Sequence, residues 1–378
     1  MQKPEGIPPH VLFLFSDTGG GHRSAAEAIM EAMTQEVPGK ITAEMVDIFK
    51  NYAPPPLKYA PQLYPPVSRM PDMWALGYRR SDGRKRTSAF NTILWPYIRQ
   101  ATKKLIKENP ADLIVSVHPL SNSPVLRAMK SAPCPFMTVV TDMVSVHAFW
   151  YDRRADVVVV PTEEARERGI CYGVKPERIE VVGLPVAQRF CHPPEDTTKL
   201  RNDLGWDLDM PVILLVGGGE GMGPLERVAR AIDREGLAAQ LAIVCGRNRK
   251  IFTRLKEYTW QMKAHIYGFV SNMPDLMAAA DMLVTKAGPG TISEAFIAGL
   301  PLIIYSRMPG QEDGNVFYVV NHKAGTWAPH PERVVTCLRE WIEHPEIREQ
   351  AAEACRQLAK PDAAGQIARI IARKVGVV

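Results

Sequence analysis

Val11-Leu12-Phe13-Leu14-Phe15-Ser16-Asp17-Thr18-Gly19-Gly20-Gly21-His22-Arg23 joins five apolar residues to three polar ones, three glycines and a histidine. Behind it Ala25, Ala28, Ile29, Ala32 and Met33 recur at helical spacing. The pattern reads as a fully buried strand that turns through glycine into a helix. Val212-Ile213-Leu214-Leu215-Val216-Gly217-Gly218-Gly219-Glu220-Gly221-Met222-Gly223-Pro224 repeats it, with Leu225, Val228, Ala229 and Ile232 at helical spacing beyond. Two such openings predict two domains of one type.

Between and after them, short apolar runs alternate with helix-period segments. Strands are expected at residues 11–15, 41–46, 113–117, 136–140, 157–160 and 179–182, then at 212–216, 241–245, 266–269, 282–285, 302–305 and 325–327. Continuous apolar strands separated by helices indicate parallel sheets covered on both faces. The fold class is therefore α/β, with two doubly wound domains. An N-terminal domain is expected over residues 1–190, a linker over 191–210, and a C-terminal domain over 211–378 whose last helix is a candidate to return to the first. Ligands of such sheets bind beyond the carboxyl ends of the strands.

The chain has 378 residues, 46% hydrophobic and 23% charged, the balance of a globular protein with sizeable cores. No stretch approaches the roughly 18 unbroken apolar residues of a membrane span. Six cysteines without a C-x-x-C pair read as reduced thiols, and nine scattered histidines argue against a zinc site. The first strand begins almost at once, which leaves no room for an address label. The net charge of +5 is mild. Residues 51–110 depart from the pattern, with seven prolines by residue 71, then Trp74, Tyr78, Arg79, Arg80, Arg84, Lys85 and Arg86. Such a mixture suits a membrane interface; the plain alternative is a solvated insertion.

Four segments carry chemistry. At the first turn, glycines and a helix start suit a negatively charged ligand, and His22 at its lip suits a general base, oriented by Asp17 or Asp142. A helix-start histidine without a task is the structural alternative. The second turn suits a diphosphate cradled by main-chain donors. In Lys286-Ala287-Gly288-Pro289-Gly290-Thr291-Ile292-Ser293-Glu294, Glu294 either holds a ribose diol or closes a capping box with Thr291. Gln311 and Glu312, in Pro309-Gly310-Gln311-Glu312-Asp313-Gly314-Asn315, suit hydroxyl recognition or a polar turn. His118 and His147 follow strands of the first domain as candidates for an acceptor side. Asp207-Leu208-Asp209 reads as a solvated turn.

The order of these motifs resembles monogalactosyldiacylglycerol synthases of glycosyltransferase family 28, together with diacylglycerol glucosyltransferases. The resemblance spans residues 10–360 and rests on residues 16–23, 116–120, 140–142, 182–186, 217–224, 286–295 and 310–315. It implies a GT-B fold of two Rossmann-like domains facing across a cleft. It implies His22 as catalytic base, Gly19, Gly20 and Gly21 at the sugar phosphate, and Gly218 and Gly219 at the donor phosphates. Phe269 and Val270 would face uracil, and Gly288, Pro289, Gly290 and Thr291 would lie at the donor helix start. Glu294 would take the ribose, and Gln311 and Glu312 the hexose. Trp74, in the aromatic and basic region that the resemblance matches only loosely, is a further acceptor-side candidate.

The implied activity is inverting transfer of a hexose, galactose favoured, from a UDP-sugar to the sn-3 hydroxyl of diacylglycerol. A glucosyl transferase, another acceptor, or a non-catalytic nucleotide- or lipid-binding regulator are the alternatives. Expected partners are a UDP-hexose, diacylglycerol and an anionic membrane surface, with no nucleic acid, metal or cofactor; the oligomeric state stays open. Plant members carry a transit peptide, so the resemblance implies a bacterial, cytoplasmic protein at the inner face of the cell membrane.

Overall fold

The computed structural model describes residues 7–377 except 19, 63–69, 132–133, 194–195, 220 and 222. Its chain divides into two compact units, Met1–Gln188 with Asp362–Val378, and Arg189–Pro361.

In the first unit, β1 (His10–Phe15), β2 (Thr42–Asp47), β3 (Leu113–Ser116), β4 (Phe136–Val139), β5 (Val157–Val160) and β6 (Ile179–Val181) form one sheet ordered β2-β1-β3-β4-β5-β6. All neighbours are parallel. The unbroken apolar run of β1 follows from this: side chains alternate across a strand, and both faces are covered. Val11, Phe13 and Phe15 pack with Ala28, Ile29 and Ile371 on one face. Leu12 and Leu14 pack with Leu105, Phe136 and Trp150 on the other.

In the second unit, β7 (Val212–Val216), β8 (Gln240–Val244), β9 (Ala264–Tyr267), β10 (Met282–Lys286), β11 (Leu302–Ser306) and β12 (Gly325–Trp327) run β12-β11-β10-β7-β8-β9. These strands are also parallel throughout. Each sheet has one switch point, where the chain leaves a strand first to one side and later to the other. It lies between β1 and β3 in the first unit and between β7 and β10 in the second. Both glycine turns leave the carboxyl ends of switch-point strands.

Three expectations are corrected. β9 ends at Tyr267, two residues short, so Phe269 stands 62% exposed beyond the strand rather than within it. Residues 191–210 are no free linker. Trp206 is buried with Nε1 donating to the Tyr267 hydroxyl at 2.9 Å, and Arg201 pairs with Asp281 at 2.7 Å, which makes the stretch part of the second unit. The departure at 51–110 is largely helical, with Pro71–Ser81 and Arg84–Glu108. Pro71 stands at the first helical position, where its missing N–H costs nothing.

The last helix, Ala363–Lys374, belongs to the first unit and packs along helix Gly21–Glu36. Its Ile367 and Ile371 are fully buried, and Arg369 pairs with Glu36. Ile371→Ala should therefore cost about 2–5 kcal/mol, as for other buried aliphatics, measured by urea denaturation. A midpoint unchanged from the parent would show that this helix is not part of the core.

Candidate active site

In the first unit, β1 runs through Ser16, Asp17 and Thr18 into the turn, and Gly20 caps helix Gly21–Glu36 without a side-chain bond. Apart from the neighbouring chain, no atom of the described residues lies within 4 Å of where a Cβ would stand on Gly20 or Gly21, so the turn is open there. Gly19 lies outside the described residues. His22, in the first helical turn, has Nδ1 2.9 Å from Thr141 Oγ1, and the Val117 carbonyl also accepts from the ring. Its ring meets His118 edge-on at 4.7 Å and Trp150 at 5.9 Å.

The two proposed orienters are committed elsewhere. Both Asp17 oxygens accept from Arg23 at 2.7 Å, and Asp142 accepts from Trp150 Nε1 at 2.7 Å. The ring's nitrogen partner is instead a threonine hydroxyl. An unperturbed imidazole titrates near 6.5; burial lowers His22 to about 4, opposed by the Val117 carbonyl. His118 is buried, and its Nδ1 accepts from the Leu120 amide at 3.3 Å. That leaves Nε2 to donate to Thr18 Oγ1 at 3.1 Å, a tautomer assigned from the bonding pattern. Burial and then the neighbouring His22 keep its pKa well below the usual range. The site thus holds two neutral imidazoles at the carboxyl ends of β1, β3 and β4.

His147 has a different place. Its Nδ1 accepts from the Phe149 amide, Nε2 lies 3.1 Å from Ser81 Oγ, and the ring stacks on Phe149. With Asp82, which accepts from the Ala148 amide, Arg168 and Tyr172, it pins the end of helix Pro71–Ser81 to the unit. Trp74 is half-buried on that helix. Met73, Leu76, Phe90, Ile93 and Tyr97, unremarked in the sequence, are the large apolar side chains exposed there.

In the second unit, the turn after β7 folds back on itself. The Gly221 amide donates to the Gly218 carbonyl at 3.0 Å, and the Arg247 amide to the Gly219 carbonyl at 2.9 Å. Gly221 has φ 57°, and a Cβ there would stand 2.3 Å from the Cys245 carbonyl oxygen; only glycine fits. Beside the turn, the Arg247 guanidinium lies 4.6 Å over the Phe269 ring, and Val270 follows half-buried. Helix Pro289–Ala298 starts from Gly288, with Gly290 open to space and Thr291 in its first turn.

That start excludes the capping box. Thr291 is the third residue inside the helix, not its cap, so Glu294 lies one turn too deep to close one. Glu294 is half-buried and has no hydrogen-bond partner among the described residues. Burial raises its pKa to about 7, opposed by the charge of Arg189. Glu312 is buried; Oε1 accepts from Lys286 Nζ at 2.6 Å and Oε2 from the Met308 amide at 2.7 Å. Gln311 beside it is half-buried. Thr141, Arg247 and Lys286 were missed as site residues. Only their position just past or at the end of a strand would have flagged them. Asp207 and Asp209 form a turn of their own, the Asp209 amide donating to Asp207 Oδ1. Among the described residues, no three His, Cys, Asp or Glu side chains are grouped so as to hold a metal ion.

Residues 22–186 match the family model for monogalactosyldiacylglycerol (MGDG) synthase, and 212–367 that for the glycosyltransferase family 28 C-terminal domain. The chain is 37% identical to a probable chloroplastic monogalactosyldiacylglycerol synthase of Nicotiana tabacum, over 95% of this chain and 70% of the relative. It belongs to the monogalactosyldiacylglycerol synthase family. Monogalactosyldiacylglycerol synthase 1, chloroplastic, of Arabidopsis thaliana is 36% identical over the same shares. Among solved structures, Acinetobacter baumannii MurG superposes with a TM-score of 0.64 at 16% identity, covering 97% of this chain and all of that one. The Staphylococcus aureus MnaA co-structure with UDP gives 0.64 at 14%, with 98% of each chain covered. This family member is a glycosyltransferase of GT-B fold. One expectation is overturned: the relatives at 33–37% identity are chloroplastic enzymes, not bacterial proteins at the inner face of a cell membrane.

The sign of the His22 shift makes a test. Its folded pKa lies below the free value, so the imidazole stays neutral from pH 7 down to about 4. The stability this contributes is complete above pH 6.5 and is lost as pH falls through the window between the two. The acid limb of kcat/KM should accordingly fall well below pH 6.5. A limb at 6.5 that His22→Ala removes would contradict the buried, neutral ring.

Proposed function

We propose that the enzyme transfers galactose from UDP-galactose to the sn-3 hydroxyl of diacylglycerol with inversion at the anomeric carbon. The observation that carries this reading is His22, a neutral imidazole fixed by Thr141 and Val117 at an open glycine turn. With the ring proton assigned to Nδ1, which faces Thr141, Nε2 keeps a lone pair for the acceptor's proton. The acceptor oxygen forms its bond to the anomeric carbon as its proton passes to Nε2. The bond from that carbon to the phosphate oxygen breaks, its electron pair stays on the diphosphate, and UDP leaves. The product is β-linked.

The second unit supplies the donor site on this reading. The open face of Phe269 suits uracil. Glu294, with two oxygens and no hydrogen-bond partner among the described residues, suits a ribose diol, and amides of the Gly218–Gly219 turn and of the helix start suit the diphosphate. Gln311 suits the hexose hydroxyls. Solved neighbours of the same fold include complexes with UDP and with UDP-glucose, which supports this reading. His22→Ala should lower turnover about 10²–10⁴-fold while UDP still binds by calorimetry. Turnover close to normal would remove His22 from the role.

We further propose that helices Pro71–Ser81 and Arg84–Glu108 dock on an anionic bilayer. Met73 is 63% and Ile93 81% exposed, with Arg79, Arg80, Arg84, Lys85 and Arg86 also at the surface. Inserted apolar side chains and cations contributing about 1 kcal/mol each near such a surface act together. No helix among the described residues is long and apolar enough to cross a membrane. Flotation with phosphatidylglycerol liposomes should carry the protein upward, and Met73→Asp with Ile93→Asp should leave most of it behind. Equal flotation of parent and double variant would rule this surface out.

A further inference from the structure

Lys286 occupies the switch point of the second sheet. It ends β10, whose Thr285 is paired with Val216 of β7, so its side chain lies directly beside the Gly217–Gly219 turn. Its Cε stands 3.3 Å from where a Cβ would be on Gly218, and its Nζ 3.0 Å from that place on Gly288. The ammonium therefore lies close to both the Gly218 turn and the start of helix Pro289–Ala298, the two segments proposed above for the diphosphate. Among the described residues its partner is Glu312, itself fixed by the Met308 amide.

Two features say that this pair is not mere scaffolding. A buried ion pair is a poor source of stability, since desolvation offsets the attraction. Gly288 has φ −71°, a conformation open to any residue, so its backbone does not demand glycine. A Cβ there would stand 3.0 Å from the lysine Nζ, so the head lies close against this turn. Asn315 Nδ2 donates to the Ala287 carbonyl at 2.9 Å and holds the same turn from beneath.

We infer that Lys286 is the cation that binds the donor's diphosphate and meets the charge that grows on it as the sugar departs, and that Glu312 is the positioning residue that aims it. This deepens the donor-site reading above and rests on it. It also gives Glu312 a task other than the hexose contact implied by family resemblance. When the bond between the anomeric carbon and the phosphate oxygen breaks, the electron pair passes to the β-phosphate, and an ammonium already in place needs no reorganisation to meet it.

The test compares UDP with uridine, which lacks the phosphates, by calorimetry on the full chain. Lys286→Met should weaken UDP about 10- to 100-fold, the scale of one charge-assisted bond, lower kcat as well, and leave uridine unchanged. Lys286→Met with Glu312→Gln removes both charges, so no unpaired carboxylate remains to disturb folding, and the same loss is expected. Parent-like UDP affinity in either variant overturns the assignment. A parent protein that binds uridine and UDP equally, or neither, instead refutes the donor site itself.

Discussion

In each sheet the chain connections diverge at the switch point, between β1 and β3 in one unit and between β7 and β10 in the other. Beyond the carboxyl ends of those strands the chain leaves the ladder and enters turns. An ordinary loop would leave polar groups to water there; a glycine-rich one can fold its amides toward a ligand. The candidate site residues, from His22 to Glu312, follow the carboxyl ends of strands in both units. The sequence motifs are consecutive because the topology places one short stretch of chain at each of these ends.

Much of this could be read beforehand where the cause was local. Runs such as Val212-Ile213-Leu214-Leu215-Val216 bury both faces and can only be inner strands of a parallel sheet. The misplaced end of β9 has the converse reason. It is an edge strand whose residues are only half-buried, so the apolar run of Ile266 to Phe269 does not coincide with the pairing. Helix Arg84–Glu108 was hidden by Pro96 within it and by exposed apolar residues that blur the period. The return of helix Ala363–Lys374 to the first core shows in sequence only as an amphipathic tail.

The site was legible in its loops and not in its pairings. Residue types at strand ends mark where chemistry happens, but which groups touch is set by the fold. Thr141 lies 119 residues from His22, and Glu312 lies 26 from Lys286. Proximity along the chain misled in both directions. Asp17, five residues before His22, is taken by Arg23. Thr291 and Glu294 have capping-box spacing, but the helix starts at Pro289 and moves both inside it.

The choice of partners explains how the two units treat charge. A carboxylate against an imidazole, as in a hydrolase triad, raises its proton affinity and holds the cation that forms. His22 has a hydroxyl and a carbonyl instead and a second neutral imidazole 4.7 Å away, an arrangement that keeps a resting positive charge out of the first unit. On the proposed role of His22, its lone pair is available at neutral pH but holds a proton weakly. Such a base would serve an alcohol only if the oxygen gained its new bond as the proton left, so the departing diphosphate would have to lower the barrier. In the proposed donor site, Lys286, the turn amides and a helix start would carry that burden. On the proposed reading, the neutral imidazole of one unit and the half-buried lysine of the other are two parts of one mechanism.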